Sequence, residues 1–337
     1  MRYTRIKIIS IILTLSFLLT ACGKASFSIP YGTFGDNAAY TADPVEARGS
    51  LPLFASGLAA VSVNITDTAP MIDTGDFTAA ALYCIDDREV LYSYDACMRI
   101  EPASLTKLMT ALLVAENCSR LDDIITVGDV SIKEEGVQRF GLKEGDRISI
   151  RSLLQIMLVH SGNDAALCLS EYVGGIRAKE NDRGKAPADI FTELMNDRAK
   201  ALGCSGTHFT NAHGLSDSEH YSTVYDLYII LDKLLEYEDI TDIMALAKVT
   251  VKYSNAAGEV VEKTVTNTDL FLSGGYLLPE GFSIIAGKTG STAAAGRCLI
   301  IGAKYTDGKK YIAAVTGAAD HEKLYGTMSE LLKICDR

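Results

Sequence analysis

From residue 79 onward, apolar and polar positions alternate in patterns that mark out successive elements. Residues 79–85 and 90–94 are short apolar runs split by Asp86-Asp87-Arg88-Glu89, which predicts a β-hairpin. Behind Pro102-Ala103-Ser104, the apolar residues Leu108, Met109, Leu112 and Leu113 recur at helical spacing, so a helix is expected to about Glu116. Residues 124–127 read as a short strand and 130–150 as loop-rich, with turns at Gly136, Gly141 and Gly145. An apolar helix over 152–159 is broken by His160-Ser161-Gly162-Asn163-Asp164, and helical character resumes over 165–172. Amphipathic helices follow over 187–202 and 222–237, with a polar loop at 204–215 between them. A second hairpin is expected from 249–253 and 260–265 across Asn255-Ala256-Ala257-Gly258. Residues 282–287 form a strand leading into Lys288-Thr289-Gly290-Ser291-Thr292, and strands over 298–305 and 311–317 flank Thr306-Asp307-Gly308. A last helix from about Asp320 carries Leu324, Met328, Leu331, Leu332 and Cys335 on one face.

These elements describe an α+β fold. A mostly antiparallel sheet is built from the 79–94 hairpin and the strands of 282–317. The Ser104 helix packs on one face, and a mainly helical lobe spans about 116–237. No internal repeat appears.

Upstream the pattern differs. Arg2, Arg5 and Lys7 precede an apolar run over 8–19, too short for a membrane span and right for a signal-peptide core. The run ends in Leu19-Thr20-Ala21-Cys22, which resembles the lipobox of bacterial lipoproteins; that resemblance implies cleavage before Cys22 and acylation of its thiol. The expected organisation is a signal peptide over 1–21, a tether over 22–74 and a folded domain over 75–337. The tether lacks any sustained period and is punctuated by Pro30, Pro44, Pro52 and Pro70, with one hydrophobic patch at 51–63 suited to docking or to a brief helix.

Composition narrows the function classes. The chain has 337 residues and is 48% hydrophobic, enough for a sizeable core. Its net charge of -11 argues against nucleic acid or an anionic membrane surface as a charge-driven partner. Beyond Cys22 stand Cys84, Cys97, Cys118, Cys168, Cys204, Cys298 and Cys335, an odd set with no Cys-x-x-Cys pair and mostly inside apolar runs. They read as core residues, and no metal site or cofactor is expected.

The candidate chemistry begins at Ser104-Leu105-Thr106-Lys107. Residues three apart share a helix face, so the lysine amine is within reach of the serine oxygen. A partly desolvated lysine can take the serine proton, and the helix N-terminus favours developing negative charge. Ser161-Gly162-Asn163 would deliver polar side chains from an otherwise buried helix, although a plain helix–helix turn with Asp164 as N-cap gives the same pattern. Lys288-Thr289-Gly290 puts a cation on a strand border.

In chain order, Ser104-x-x-Lys107, Ser161-Gly162-Asn163 and Lys288-Thr289-Gly290 form the three-motif set of penicillin-recognising serine acyl-transferases. Residues 102–111, 141–166, 211–215 with His220-Tyr221-Ser222-Thr223, and 288–299 resemble the low-molecular-mass D-alanyl-D-alanine carboxypeptidases, over about residue 79 to the last residue. The resemblance implies a β-lactamase/transpeptidase-like fold. It also implies a peptidoglycan stem peptide ending in D-Ala-D-Ala as substrate, and covalent capture of β-lactams. In these terms Ser104 is the nucleophile, Lys107 its base and Ser161 a proton relay. Asn163 bonds Lys107 or the substrate amide, Lys288 and Thr289 hold the substrate carboxylate, and the backbone N–H groups of Ser104 and Ser291 form the oxyanion hole. The family's β-rich C-terminal domain and trailing amphipathic helix have no counterpart in this sequence, so the lipid on Cys22 is expected to supply attachment to the outer face of the cytoplasmic membrane. His213, in Asn211-Ala212-His213-Gly214-Leu215, is as readily structural as catalytic.

Two other readings share parts of this pattern. A class A-like β-lactamase needs a glutamate followed four residues later by asparagine; Glu193-Leu194-Met195-Asn196 has the wrong spacing. A non-catalytic lipoprotein that binds peptidoglycan or senses β-lactams would have no need of Ser104, Lys107, Ser161 and Lys288 together.

Overall fold

The computed structural model describes residues 62–63 and 72–336, apart from 133, 135, 182 and 183. The signal-peptide reading, Cys22 and most of the tether lie outside the described residues.

The described chain opens with β1 (Ser62–Val63), then β2 (Ala79–Cys84) and β3 (Glu89–Tyr94), which pair as the expected hairpin. β1 runs parallel to β3, and Ile72 is buried, so the sheet begins upstream of residue 75. A 3-10 turn over Ala103–Thr106 leads into α1 (Lys107–Asn117). Next come β4 (Ile124–Thr126), β5 (Arg147–Ser149), α2 (Ile150–Val159), α3 (Asn163–Asn181), α4 (Pro187–Leu202), α5 (Val224–Leu234) and α6 (Glu238–Met244). The chain continues through β6 (Lys248–Ser254), β7 (Val260–Thr266), α7 (Leu270–Ser273), β8 (Ser283–Thr292), β9 (Gly296–Lys304), β10 (Lys310–Ala318) and α8 (His321–Leu332). None of the helices among the described residues is long and apolar enough to cross a membrane.

The main sheet has the order β1-β3-β2-β10-β9-β8 and is antiparallel except at β1. All six residues of β2 are buried, because both faces of the sheet are covered. Side chains alternate along a strand. Ala79, Ala81 and Tyr83 join the helical-lobe core, while Ala80, Leu82 and Cys84 join the core under α8. Tyr83 stacks on Tyr228 of α5 at 4.0 Å between ring centroids, which locks the lobe to the sheet.

The lobe differs from the expectation in one respect. It contains a second, four-stranded antiparallel sheet of order β4-β5-β6-β7. β5 lies inside the stretch that reads as loop, since three residues of pattern Arg-Ile-Ser offer only one buried position, Ile148. The 249–265 hairpin therefore belongs to the lobe and not to the main sheet. β8 also runs through Lys288 to Thr292, so the basic motif lies within the strand and not beyond its end.

Of the seven described cysteines, all are free thiols. Cys84, Cys168, Cys204 and Cys298 are buried, Cys118 and Cys335 partly so, and Cys97 is exposed.

Candidate active site

Ser104 stands on the 3-10 turn and not on a regular α-helical turn. The chain reaches it through Ala103, held at φ 47°, a left-handed conformation uncommon for a residue with a Cβ. Two glycines let other segments close on this turn. A Cβ on Gly214, whose φ is 90°, would lie 1.8 Å from the Ala103 carbonyl oxygen. A Cβ on Gly290 would lie 3.1 Å from the Ser104 nitrogen, so β8 passes directly beside the serine amide.

Lys107 is completely buried at the start of α1. Its Nζ makes three hydrogen bonds: 2.8 Å to Ser104 Oγ, 2.6 Å to Asn163 Oδ1 and 2.6 Å to the His213 carbonyl oxygen. Burial, reinforced by the like charge of Lys288 and opposed by Asp164, drives its pKa well below that of a free lysine. In its neutral form this amine has two N–H groups and one lone pair. The amide oxygen of Asn163 and the His213 carbonyl can only accept, so both N–H groups go there. The lone pair is left facing the Ser104 hydroxyl.

The break between α2 and α3 supplies Ser161 and Asn163. Ser161 has φ 61°, and the Gly162 nitrogen donates to the Ile156 carbonyl at 3.1 Å. A Cβ on Gly162 would meet Ile156 Cγ2 at 2.7 Å, which explains the glycine. Asp164 lies inside the first turn of α3 and is not its cap. Its buried carboxylate accepts from the backbone N–H groups of Phe140 (3.1 Å), Gly141 (2.7 Å) and Leu142 (3.1 Å), tying the 140–142 loop to the head of α3.

Lys288 enters from the sheet side, fully buried on β8, which forms the edge of the main sheet. Its Nζ donates to Ser161 Oγ at 2.9 Å and to the Thr289 carbonyl at 2.8 Å. Burial lowers its pKa to about 7, with Asp269 pulling it upward. The Thr289 hydroxyl pairs with Thr268 Oγ1 at 2.6 Å, while Ser291 is exposed at the strand border.

Five of the expected side chains thus fall into two hydrogen-bonded groups, Ser104–Lys107–Asn163 and Ser161–Lys288, near enough for the charge of Lys288 to act on Lys107. Sequence reasoning missed the contribution of the 211–215 loop, which acts through the His213 backbone carbonyl. The His213 ring is held down to a pKa of about 3 by burial and by Lys107, and its Nδ1 accepts from the Leu215 nitrogen at 3.3 Å. Nearby, His220 Nδ1 accepts from the Thr210 nitrogen at 3.0 Å, which fixes the proton on Nε2, aimed at Thr106 Oγ1 2.8 Å away. The Asn-Ala-His-Gly pattern flagged this loop, but a carbonyl contact leaves no trace in residue type.

The fold and this constellation define a penicillin-recognising serine acyl-transferase architecture. The sequence model for D-alanyl-D-alanine carboxypeptidases matches residues 67–320, and the chain belongs to that family. It is 30% identical to the D-alanyl-D-alanine carboxypeptidase DacF of Bacillus subtilis, over 75% of this chain and 60% of that protein. It is 31% identical to the D-alanyl-D-alanine carboxypeptidase DacD of Escherichia coli, over 80% of this chain and 64% of that protein. The chain therefore spans about three-fifths of the length of these relatives. Among solved structures, the Streptomyces K15 DD-transpeptidase superposes with a TM-score of 0.70 at 25% identity, covering 79% of this chain and 98% of that one. Penicillin binding protein 6B from Escherichia coli superposes at 0.67 with 28% identity, covering 82% of each chain.

Proposed function

We propose that this protein is a serine D-alanyl-D-alanine carboxypeptidase that removes the terminal D-alanine of peptidoglycan stem peptides and is acylated by β-lactams. The observation that carries the reading is the seat of Lys107, whose one remaining lone pair meets the Ser104 hydroxyl at 2.8 Å.

Neutral Lys107 takes the Ser104 proton as Oγ attacks the carbonyl between the two D-alanines. The backbone N–H groups of Ser104 and Ser291 receive the developing oxyanion, an arrangement favoured by the approach of Gly290 to the Ser104 amide. Ser161, bonded to Lys288, relays the proton that Lys107 took up to the leaving amine, which restores the neutral Lys107 amine, and D-alanine departs to leave a serine ester. Asn163 holds Lys107 in line throughout. Lys288 grips the substrate's terminal carboxylate, while Thr289, turned by Thr268, completes that border. Water then attacks the ester, with Lys107 again accepting a proton. No step draws on a metal or cofactor.

The β-lactamase alternative lacks its water-activating pair. Glu193 lies on α4 in an ion pair with Lys185, and Asn196 is spent on the 209 loop, accepting from the Phe209 nitrogen at 2.8 Å and donating to the Phe209 carbonyl at 2.8 Å. The sequence further supports residues 1–21 as a signal peptide, Cys22 as a lipidated anchor on the outer face of the cytoplasmic membrane, 22–74 as a tether whose strand at 62–63 joins the main sheet, and 75–337 as the catalytic unit. Incorporation of labelled palmitate that disappears in Cys22→Ser is the expected result for the anchor.

The central test is an intact-mass time course of the full chain with benzylpenicillin, beside Ser104→Ala, coupled to D-alanine release from a peptide ending in D-Ala-D-Ala. A long-lived adduct and D-alanine release, both absent in Ser104→Ala, are expected. Antibiotic consumed without a lasting adduct would identify a β-lactamase. Neither adduct nor consumption would leave a binding protein.

A further inference from the structure

We propose that Asp269 is a positioning residue that, from behind β8, steadies Lys288 as the anchor for a carboxylate ligand. The inference rests on the reading of Ser104 as the acylated residue and Lys288 as the carboxylate grip.

Asp269 caps the short helix α7, its Oδ1 accepting from the Phe271 nitrogen at 3.0 Å. The same oxygen receives the Tyr325 hydroxyl of α8 at 3.3 Å. That hydroxyl itself accepts from the Leu270 nitrogen at 2.7 Å, so its proton is directed at the carboxylate. One oxygen therefore does everything that a cap and a core contact require. The second, Oδ2, is buried without a hydrogen-bond partner, one of two such side-chain atoms among the described residues. A neutral cap would serve α7 equally well, so a wholly buried carboxylate with an orphaned oxygen calls for another explanation.

Its location supplies one. A Cβ on Gly287 would stand 2.8 Å from Asp269 Oδ2, so that oxygen presses on the strand one residue before Lys288. The preceding residue, Thr268, bonds the Thr289 hydroxyl at 2.6 Å, and Asn267 Oδ1 accepts from the Asp269 nitrogen at 2.8 Å. A single turn, 267–269, thus braces both residues that face the ligand carboxylate. The charges act on each other in the matching sense: Asp269 pulls the Lys288 pKa up against burial, and Lys288 lowers that of Asp269, which burial raises to about 6. The other titratable groups around this pair are Lys107 of α1, His160 at the end of α2 and Tyr325 of α8.

The test is the second-order rate of acylation of the full chain from pH 5 to pH 10 in wild type, Asp269→Asn and Tyr325→Phe, with benzylpenicillin and its methyl ester. Asparagine keeps the cap and the volume but removes the charge. Tyr325→Phe loosens the same seat and keeps it. In Asp269→Asn the alkaline fall in rate should move to lower pH by about one unit, the size of one nearby charge. The loss at pH 8 should be roughly tenfold for the free acid, consistent with that shift, and small for the ester. Tyr325→Phe should leave the alkaline limb in place. Superimposed profiles for wild type and Asp269→Asn, or an equal displacement in Tyr325→Phe, would overturn the proposal. A wild type that is never acylated would overturn the reading beneath it instead.

Discussion

The two buried lysines of the site are seated in opposite ways. Lys107, as the neutral amine, has an acceptor for each of its two hydrogens, one from the α2–α3 break and one from the 211–215 loop, and meets the Ser104 hydroxyl with its lone pair. Lys288 has two, one of them its neighbour's carbonyl, so as an ammonium it keeps one N–H without a protein partner among the described residues. A saturated amine with a depressed pKa is equipped to exchange a proton with Ser104. An amine with a hydrogen in reserve, and a carboxylate behind it, is equipped to hold an anion. In the proposed mechanism, two side chains of one chemistry are divided into base and clamp by what surrounds them.

The largest expected effect comes from removing the base. Lys107→Gln should slow acylation by benzylpenicillin roughly 10²- to 10⁴-fold, read by stopped-flow or mass spectrometry, with the fold retained. Lys107→Arg should fail as badly, because a guanidinium stays charged. Next is the loop that closes the Lys107 seat. Gly214→Ala forces a methyl into the Ala103 carbonyl at a φ of 90°. It should cost roughly 3 kcal/mol or more of stability in denaturant melts and much of the acylation rate.

Lys288→Met separates clamp from base. Losing a charge-assisted contact of about 1.5–3 kcal/mol should weaken capture of carboxylate-bearing ligands by roughly 10- to 100-fold, with less effect on the first-order step. The same variant should be more stable than wild type at pH 6. The folded pKa of Lys288, about 7, lies below its ordinary value of 10.5, so between these the unfolded chain binds the extra proton and stability rises with pH. The variant's advantage in Tm is therefore full below about pH 7 and fades as pH climbs toward 10.5. A constant advantage across that range would refute the assignment. The smallest effect is expected at Thr106→Val, which removes the hydroxyl facing His220 Nε2 and should cost about 1 kcal/mol.

Residues whose side chains meet at the candidate site were legible in the sequence, because a serine, two lysines and an asparagine at these spacings have few other reasons to coincide. The 79–94 hairpin, α4 and the last three strands were equally plain, since each carries several apolar positions in one period. What stayed hidden acts through backbone or through context. β5 offers one buried residue, and α6 and α7 are too short for a period to show. The His213 carbonyl would be the same on any residue. Asp269 reads as an ordinary cap until its second oxygen is found against Gly287. The left-handed backbone at Ala103 and Ser161 is invisible because neither residue type announces it.

On the proposed chemistry, the seat of Lys107 also makes covalent labelling a folding clock. Its partners at 104, 163 and 213 come together only when turn, helix break and loop have all docked, so a refolding chain cannot activate Ser104 piecemeal. The time at which molecules become able to capture a fluorescent penicillin would report the last of those dockings, separately from the appearance of helix or sheet.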